Sequence, residues 1–349
     1  MKILVTGARG FIGTHATAAL VVEGHDVVAL DRRADAVAAP VDIIDATEAA
    51  QVLVCDLSDQ FALDRALIGV EAVVHQAAKV GLGDGVLDAA DYARDNDLAT
   101  AYLLAAMGRA AVPVLVLAGS MVVYGAGVGR CPAHGEVTVE PRTAEALCAG
   151  DFAAHCRCGA TLDRVLVDEE CVPRPMNVYA ATKLAQEHLV SAWARQTGGT
   201  AVSLRYHNVY GVGMPRDTPY AGVAAIFTSS LLRGEAPQVF EDGGQLRDFV
   251  HVRDVARANL AALHLRRPGQ LTVCNVGSGR ARSVLDMALA LARGLDGPAP
   301  VVTGHYRLGD VRHITASSQK AAEVLDWHAS EEFDERVAEL ADAHRPTGG

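Results

Sequence analysis

The chain has 349 residues, 50% of them hydrophobic, enough for roughly two domains or one large α/β domain with a substrate-binding extension. Its formal net charge of -11, from 31 basic and 42 acidic residues, argues against nucleic acid or an anionic membrane as the main partner. Seven cysteines, an odd count with no secretory leader ahead of the first glycine turn, point to a reducing cytoplasm rather than a disulfide framework.

Residues 2–6 predict a short buried strand, followed by Gly7-Ala8-Arg9-Gly10-Phe11-Ile12-Gly13 and an apolar helix to Val22, with Gly24 as its stop. Val27 to Leu30 is the next strand, and Asp31 stands at its end. Strand, glycine turn, helix, strand and acid follow one another as in a dinucleotide-binding unit. Glycines let the backbone approach a pyrophosphate, and the helix N-terminus stabilises its charge. Asp31 can hold both ribose hydroxyls and repel a 2′-phosphate, which favours NAD over NADP; Arg32 and Arg33 beside it are the counter-signal. A glycine turn that only packs a helix on a sheet explains less, because strand, helix and acid are all in register.

Strands and helices keep alternating. Val52 to Val54 leads to Asp56 and Leu57, where an acid at a strand end can meet an adenine. Ala72 to His75 ends in Gln76-Ala77-Ala78, small residues past which a cofactor can lie close to the backbone; His75 itself reads as a packed strand-end residue. Residues 86–110 predict a helix that contains Asn96. The one long uncharged run, residues 110–129, holds Pro113, Ser120 and four glycines, so a strand and its loop explain it better than a membrane span. Ser120 follows the strand from Val114 to Leu117, where a hydroxyl suits a substrate oxygen.

Asn177-Val178-Tyr179-Ala180-Ala181-Thr182-Lys183 is a Tyr-x-x-x-Lys pair opening a helix, so phenol and ammonium share one face. A nearby ammonium favours phenolate and is expected to lower the tyrosine pKa toward neutrality, making it a base. Ser120, Tyr179 and Lys183 then form a proton-handling triad.

Residues 126–176 break the rhythm and read as a loop-like insertion. Cys131-Pro132-Ala133-His134-Gly135 and Cys156-Arg157-Cys158-Gly159 are two thiol-bearing turns, each closed by glycine, like the knuckles of a zinc ribbon. Cys131, His134, Cys156 and Cys158 are thus candidate ligands of a structural zinc. The second knuckle is one residue short of Cys-x-x-Cys, with Cys148 and Cys171 as substitutes and a loop of free thiols as the plain alternative. Beyond it come a strand from Thr200 to Tyr206, Asn208, a helix from Tyr220 to Leu232, a short strand from Gln238 to Phe240, and the arginines Arg247 and Arg307 with Asp310. Two fork-shaped, permanently charged donors suit a diphosphate, and surface ion pairing is their ordinary alternative.

Gly-x-x-Gly-x-x-Gly after Thr6 resembles the extended short-chain dehydrogenases/reductases. The assembled motifs, from residue 2 to about 340, resemble the nucleoside-diphosphate-sugar epimerase/dehydratase family. That resemblance implies a Rossmann doubly wound parallel sheet with a smaller C-terminal substrate-binding α/β region and the cysteine-bearing insertion. The NAD-binding part spans 1–200 and the nucleotide-sugar part mainly 201–349, with some segments returning to the Rossmann core. It implies that Gly7, Gly10, Phe11, Ile12, Gly13, Asp31, Arg32, Asp56, Leu57, Gln76, Ala77, Ala78, Asn96, Tyr179 and Lys183 serve the cofactor. Ser120, Tyr179, Asn208, Arg247, Arg307 and Asp310 serve the sugar and its diphosphate, and 219–228 covers the base. A homodimer through helices near 86–110 and 179–197 is also implied.

Dehydratases of the family carry an Asp-Glu pair after the catalytic hydroxyl residue; here those positions are Met121 and Val122, which cannot transfer protons. What remains resembles a UDP-galactose-type 4-epimerase. The insert and the run from Thr218 to Phe227 look most like bacterial dTDP-L-rhamnose 4-epimerase-type enzymes. The implied chemistry is proton removal from the sugar 4-hydroxyl by Tyr179 with hydride passing between C4 and NAD. A 4-ketoreductase, a UDP-hexuronate 4-epimerase or decarboxylase, and a non-catalytic NAD sensor are the rival readings.

Overall fold

The computed structural model describes residues 1–35, 39–81, 85–216 and 222–344. Seven parallel strands form its main sheet, in the order Gln270–Val276, Thr200–Tyr206, Val114–Ser120, Ala72–His75, Lys2–Thr6, Asp26–Asp31, Gln51–Val54. The chain winds outward from Lys2–Thr6 to one edge, then returns to build the other. The switch point therefore lies between Lys2–Thr6 and Ala72–His75, where ligands of such sheets bind at the strand carboxyl ends. This is the doubly wound α/β sheet expected.

Side chains alternate along each strand, so both faces need cover. Ile3 and Val5 face Leu20, Val255 and Ala258 on one side. Leu4 faces Leu63, Leu103, Met107 and Val190 on the other. Thr200–Tyr206 and Gln270–Val276 sit inside this sheet although they follow residue 200. A smaller second layer joins Asn208–Tyr210, Leu246–His251, Ala281–Ser283 and His313–Ile314 over a core of Phe227, Phe249, Met287, Leu291 and Leu340.

Three elements differ from expectation. The stretch read as one helix over 86–110 is broken into a 3₁₀ turn Gly85–Asp88, a helical turn Ala89–Tyr92, a π turn Ala93–Leu98 and the helix Ala99–Ala110. A π turn holds an extra residue and re-aims what it carries. Here it turns Asn96 fully inward. The helix expected from Tyr220 is described over Val223–Leu232; residues 217–221, with the start of the base-covering segment, lie outside the described residues. The insertion is not merely a loop. It folds as a three-stranded antiparallel sheet of Val128–Cys131, Gly135–Thr138 and Asp163–Arg164, with the helix Ala144–Cys148.

Candidate active site

A cavity of about 530 Å³ opens at the switch point and is lined by Gly7, Gly10, Asp31, Arg32, Asp56, Leu57, Gln76, Ala77 and Ala78 among others. The glycines there have different reasons to be glycine. Gly7 takes φ +66°, and a Cβ on it would meet Ala77 N at 2.6 Å. A Cβ on Gly13 would lie 2.0 Å from Gly7 O, so strand turn and helix could not close. At Gly10 the nearest obstacle is Gly7 O at 3.3 Å. Packing constrains Gly10 far less than Gly13, since a shift of a few tenths of an ångström would relieve that contact, and Gly10 lines the cavity. The helix Phe11–Val22 starts there without a side-chain cap, leaving its first N–H groups for an anion.

Asp31 is nearly buried, and its carboxylate is aimed by two backbone donors, Arg9 N at 2.9 Å and Arg33 N at 3.0 Å. Arg32 turns aside to Asp95 at 3.5 Å, and Arg33 donates to Arg9 O at 2.9 Å. Asp56 accepts from Ser58 N at 2.8 Å, and its bonds to Ser58 hold its carboxyl below the usual range. Glycine cradle, oriented acid and uncapped helix together fit a dinucleotide.

The other residues named for the cofactor take less direct places. Phe11 lines a smaller cavity of about 80 Å³, Ile12 packs on the core, and Gly13 is buried behind the turn. Asn96 accepts from Lys79 N at 2.7 Å and donates to Lys79 O at 3.0 Å and Thr182 Oγ1 at 2.9 Å, tying the loop after the fourth strand to the helix Val178–Thr197. His75 is packed between Thr6 and Thr100, the structural place expected of it.

Ser120 ends its strand, and Tyr179 and Lys183 lie on the first turns of the 20-residue helix Val178–Thr197. Asn177 caps that helix by accepting from Ala180 N at 2.8 Å, and Gly198, at φ +75°, ends it. Lys183 Nζ donates to Ala118 O at 3.0 Å, and burial pulls its pKa down to about 8, against the opposing charges of Glu187 and Asp97. The expectation that lysine brings the tyrosine toward neutrality is corrected here. Burial pushes Tyr179 up to about 12, with only the Ser120 hydrogen bond pulling the other way. Asp97, on the π turn, is likewise lifted to about 6 by burial.

Arg247 donates to Leu246 O, Val311 O and Arg312 O, at 2.9, 2.7 and 3.2 Å, so carbonyls rather than a carboxylate hold its guanidinium. Burial lowers its pKa to about 10. Arg307 is exposed and stacks on Phe240 at 5.2 Å. Burial raises Asp310 in spite of Arg247 and Arg307. Asn208 lines the smaller cavity, and its Oδ1 is buried with no partner among the described residues.

In the insertion, one ligand atom each of Cys131, His134, Cys156 and Cys158 lies within 4.8 Å of the others. Cys131 Sγ is 3.7 Å from Cys158 Sγ and 3.5 Å from His134 Nδ1, which is 3.3 Å from Cys156 Sγ. Metal–sulfur bonds of about 2.3 Å in a tetrahedron place sulfurs about 3.8 Å apart, so this donor set fits zinc. The missing residue in the second knuckle is no obstacle. Cys148 and Cys171 are engaged elsewhere, Cys148 against Tyr306 Oη at 2.8 Å.

Sequence reasoning missed Tyr92, whose ring packs 6.0 Å from that of Tyr179, and the pair Tyr206 and Asn259 that hold Gln76. It also missed Arg142.

Residues 3–146 and 155–277 match the model of the NAD dependent epimerase/dehydratase family. The chain belongs to this family. The dTDP-L-rhamnose 4-epimerase of Burkholderia thailandensis is 33% identical to it, over 97% of this chain and 93% of the relative. MoeE5, solved with UDP-glucuronic acid and NAD, superposes with a TM-score of 0.76 at 31% identity, covering 98% of both chains. The UDP-glucose 4-epimerase of Thermotoga maritima, solved with UDP-glucose, gives 0.77 at 28% identity over 98% of both. The family places this chain among enzymes, and the glycine-lined cavity at the switch point fits NAD.

Proposed function

We propose that the enzyme inverts C4 of a dTDP- or UDP-linked hexose through a transient 4-keto sugar. The chain is a nucleotide-sugar 4-epimerase. The observation that carries this is that Tyr179, hydrogen-bonded to Ser120 at the end of its strand, shares a helix face with Lys183 in a fold whose strand ends line a glycine-cradled cavity. NAD, when bound, would supply a reversible hydride acceptor for C4, so none would be consumed.

The chain's own groups supply the rest. Tyr179 takes the proton of the 4-hydroxyl and later gives it back, while Ser120 hydrogen-bonds the same oxygen. A phenol held as high as about 12 needs help to ionise, and the Lys183 ammonium one turn away stabilises the charge as it forms. Arg247, Arg307 and Asn208 anchor the diphosphate arm while the sugar turns over. A UDP-hexuronate is the second reading, because MoeE5 was solved with UDP-glucuronic acid.

The test is incubation of the purified protein with dTDP- and UDP-hexoses and a UDP-hexuronate, without added cofactor, followed by NMR of the sugar. A new C4 epimer supports the reading and names the substrate. A product formed only when NADPH and a 4-keto sugar are supplied replaces it with a ketoreductase. Tyr179→Phe is expected to lose at least about a thousandfold in kcat while still binding the nucleotide sugar. Normal turnover by this variant would remove Tyr179 from its role.

We also assign a structural zinc to Cys131, His134, Cys156 and Cys158. What supports the assignment is the geometry, with Cys131 Sγ 3.7 Å from Cys158 Sγ and 3.5 Å from His134 Nδ1, and His134 Nδ1 3.3 Å from Cys156 Sγ. A homodimer through helices near 86–110 and 179–197 is the assembly we favour, on the exposed Val86, Leu87 and Leu98 of the first; light scattering tests it.

A further inference from the structure

We propose that Arg142, in the cysteine-bearing insertion, is a positioning residue for the diphosphate arm of the substrate site. The inference rests on the nucleotide-sugar reading above. Arg142 follows the strand Gly135–Thr138, and its side chain is only 6% exposed. One guanidinium nitrogen donates to Phe152 O, inside the insertion, at 3.0 Å. The other donates at 2.7 Å both to Glu241 Oε1 and to Asp310 O. The side chain thus joins three segments that are far apart in the chain.

Its two distant contacts fall on the segments that present the anion-binding arginines. Asp310 O, Val311 O and Arg312 O are successive carbonyls; Arg142 takes the first, and Arg247 takes the second and third. The turn that carries Arg307 closes by Asp310 N donating to Arg307 O at 3.2 Å, so holding the Asp310 carbonyl also fixes that turn. Phe240, on which Arg307 stacks, is the neighbour of Glu241. Glu241 is a buried non-glycine residue at φ +52°, a conformation that persists only where the surroundings enforce it. Arg142 and Arg312 each hold one of its two carboxylate oxygens.

The hydrogen bonds of Arg142 go to Phe152 O, Glu241 and Asp310 O, so it acts by pre-setting Arg247 and Arg307 for the diphosphate. Diphosphate binding is felt equally in the ground state and the transition state, so its loss raises KM and leaves kcat. Arg142→Gln is expected to raise KM for the nucleotide sugar, and Kd for dTDP or UDP, by about tenfold. It should leave kcat within about twofold and retained NAD unchanged. Arg142→Lys keeps a charge opposite Glu241 but lacks the fork that reaches both carbonyls, so it should fold and recover only part of the affinity. Arg130→Gln, which removes an exposed pair with Glu136 in the same insertion, should alter nothing.

Unchanged KM and Kd in both Arg142 variants, with wild type active, would overturn the positioning role alone. A fall in kcat at constant KM would overturn it as well. If wild type binds neither dTDP nor UDP, the nucleotide-sugar reading fails first and this inference fails with it.

Discussion

Gly10 and Gly13 look alike in the sequence and are expected to fail differently. A methyl on Gly13 lies 2.0 Å from Gly7 O, which is backbone and cannot swing aside. Gly13→Ala should therefore cost about 3 kcal/mol or more in stability, or prevent folding. A methyl on Gly10 meets only Gly7 O, at 3.3 Å, and projects toward the cavity. Gly10→Ala should keep its melting temperature within a few degrees while losing bound NAD, read by absorbance and fluorescence of the purified protein. A large drop in melting temperature for Gly10→Ala would show that the glycine serves packing instead. The readable residues of this site are those whose backbone geometry permits few side chains, or whose chemistry needs a fixed spacing along one element. Asp31 at a strand end and Lys183 four residues after Tyr179 are of that kind. Arg142 is not: its partners lie 99 and 168 residues away, and nothing in its local sequence announces them.

At the scale of elements, short and irregular pieces escaped notice for a common reason. The strands of the insertion are four, four and two residues long, too few to display an alternating period. The π turn at Ala93–Leu98 keeps helical composition while shifting the register, so only its product, the inward Asn96, betrays it. The insertion has a small apolar cluster of its own, built on Leu162, Ala154, Cys131 and Cys156. Such a cluster is small for some fifty residues, and the zinc proposed above would supply what it lacks. Purified protein is therefore expected to carry close to one zinc per chain by elemental analysis. Cys156→Ser or a strong chelator should lower the melting temperature and open 126–176 to protease, leaving the main sheet intact. Absence of zinc at any stoichiometry would retire the assignment.

At the scale of the molecule, a chain of net charge -11 nevertheless gathers Arg142, Arg247, Arg307 and Arg312 around one end of its second layer; Arg142 and Arg312 are paired with Glu241 and Asp242, which leaves Arg247 and Arg307 without a carboxylate salt bridge among the described residues to meet a dianionic ligand. The same packing that builds the site sets how the whole fold answers to acid. His75 is 1% exposed between two threonine hydroxyls, and burial, aided by Lys183, holds it down to about 3. His251 is brought to about 3 by burial and by Arg253. Unfolded histidine titrates near 6.5. Below that pH the unfolded chain takes up protons that the fold refuses, so stability is intact above about 6.5 and is lost progressively toward 3. Each such histidine contributes a slope of about 1.4 kcal/mol per pH unit. Asp97 works oppositely: lifted to about 6, it binds its proton in the fold first, and so offsets part of the loss as pH falls from about 6 to 3.8. Melting curves from pH 7.5 to 5 should show the net decline, with His75→Gln less stable at neutral pH but flatter by one proton below 6. Because Asp97 and the other titrating groups act equally on both proteins, the difference in slope isolates His75. Equal slopes would mean that His75 is charged within the fold, and that the first strand, the fourth strand and the helix carrying Thr100 are held together differently from the arrangement described.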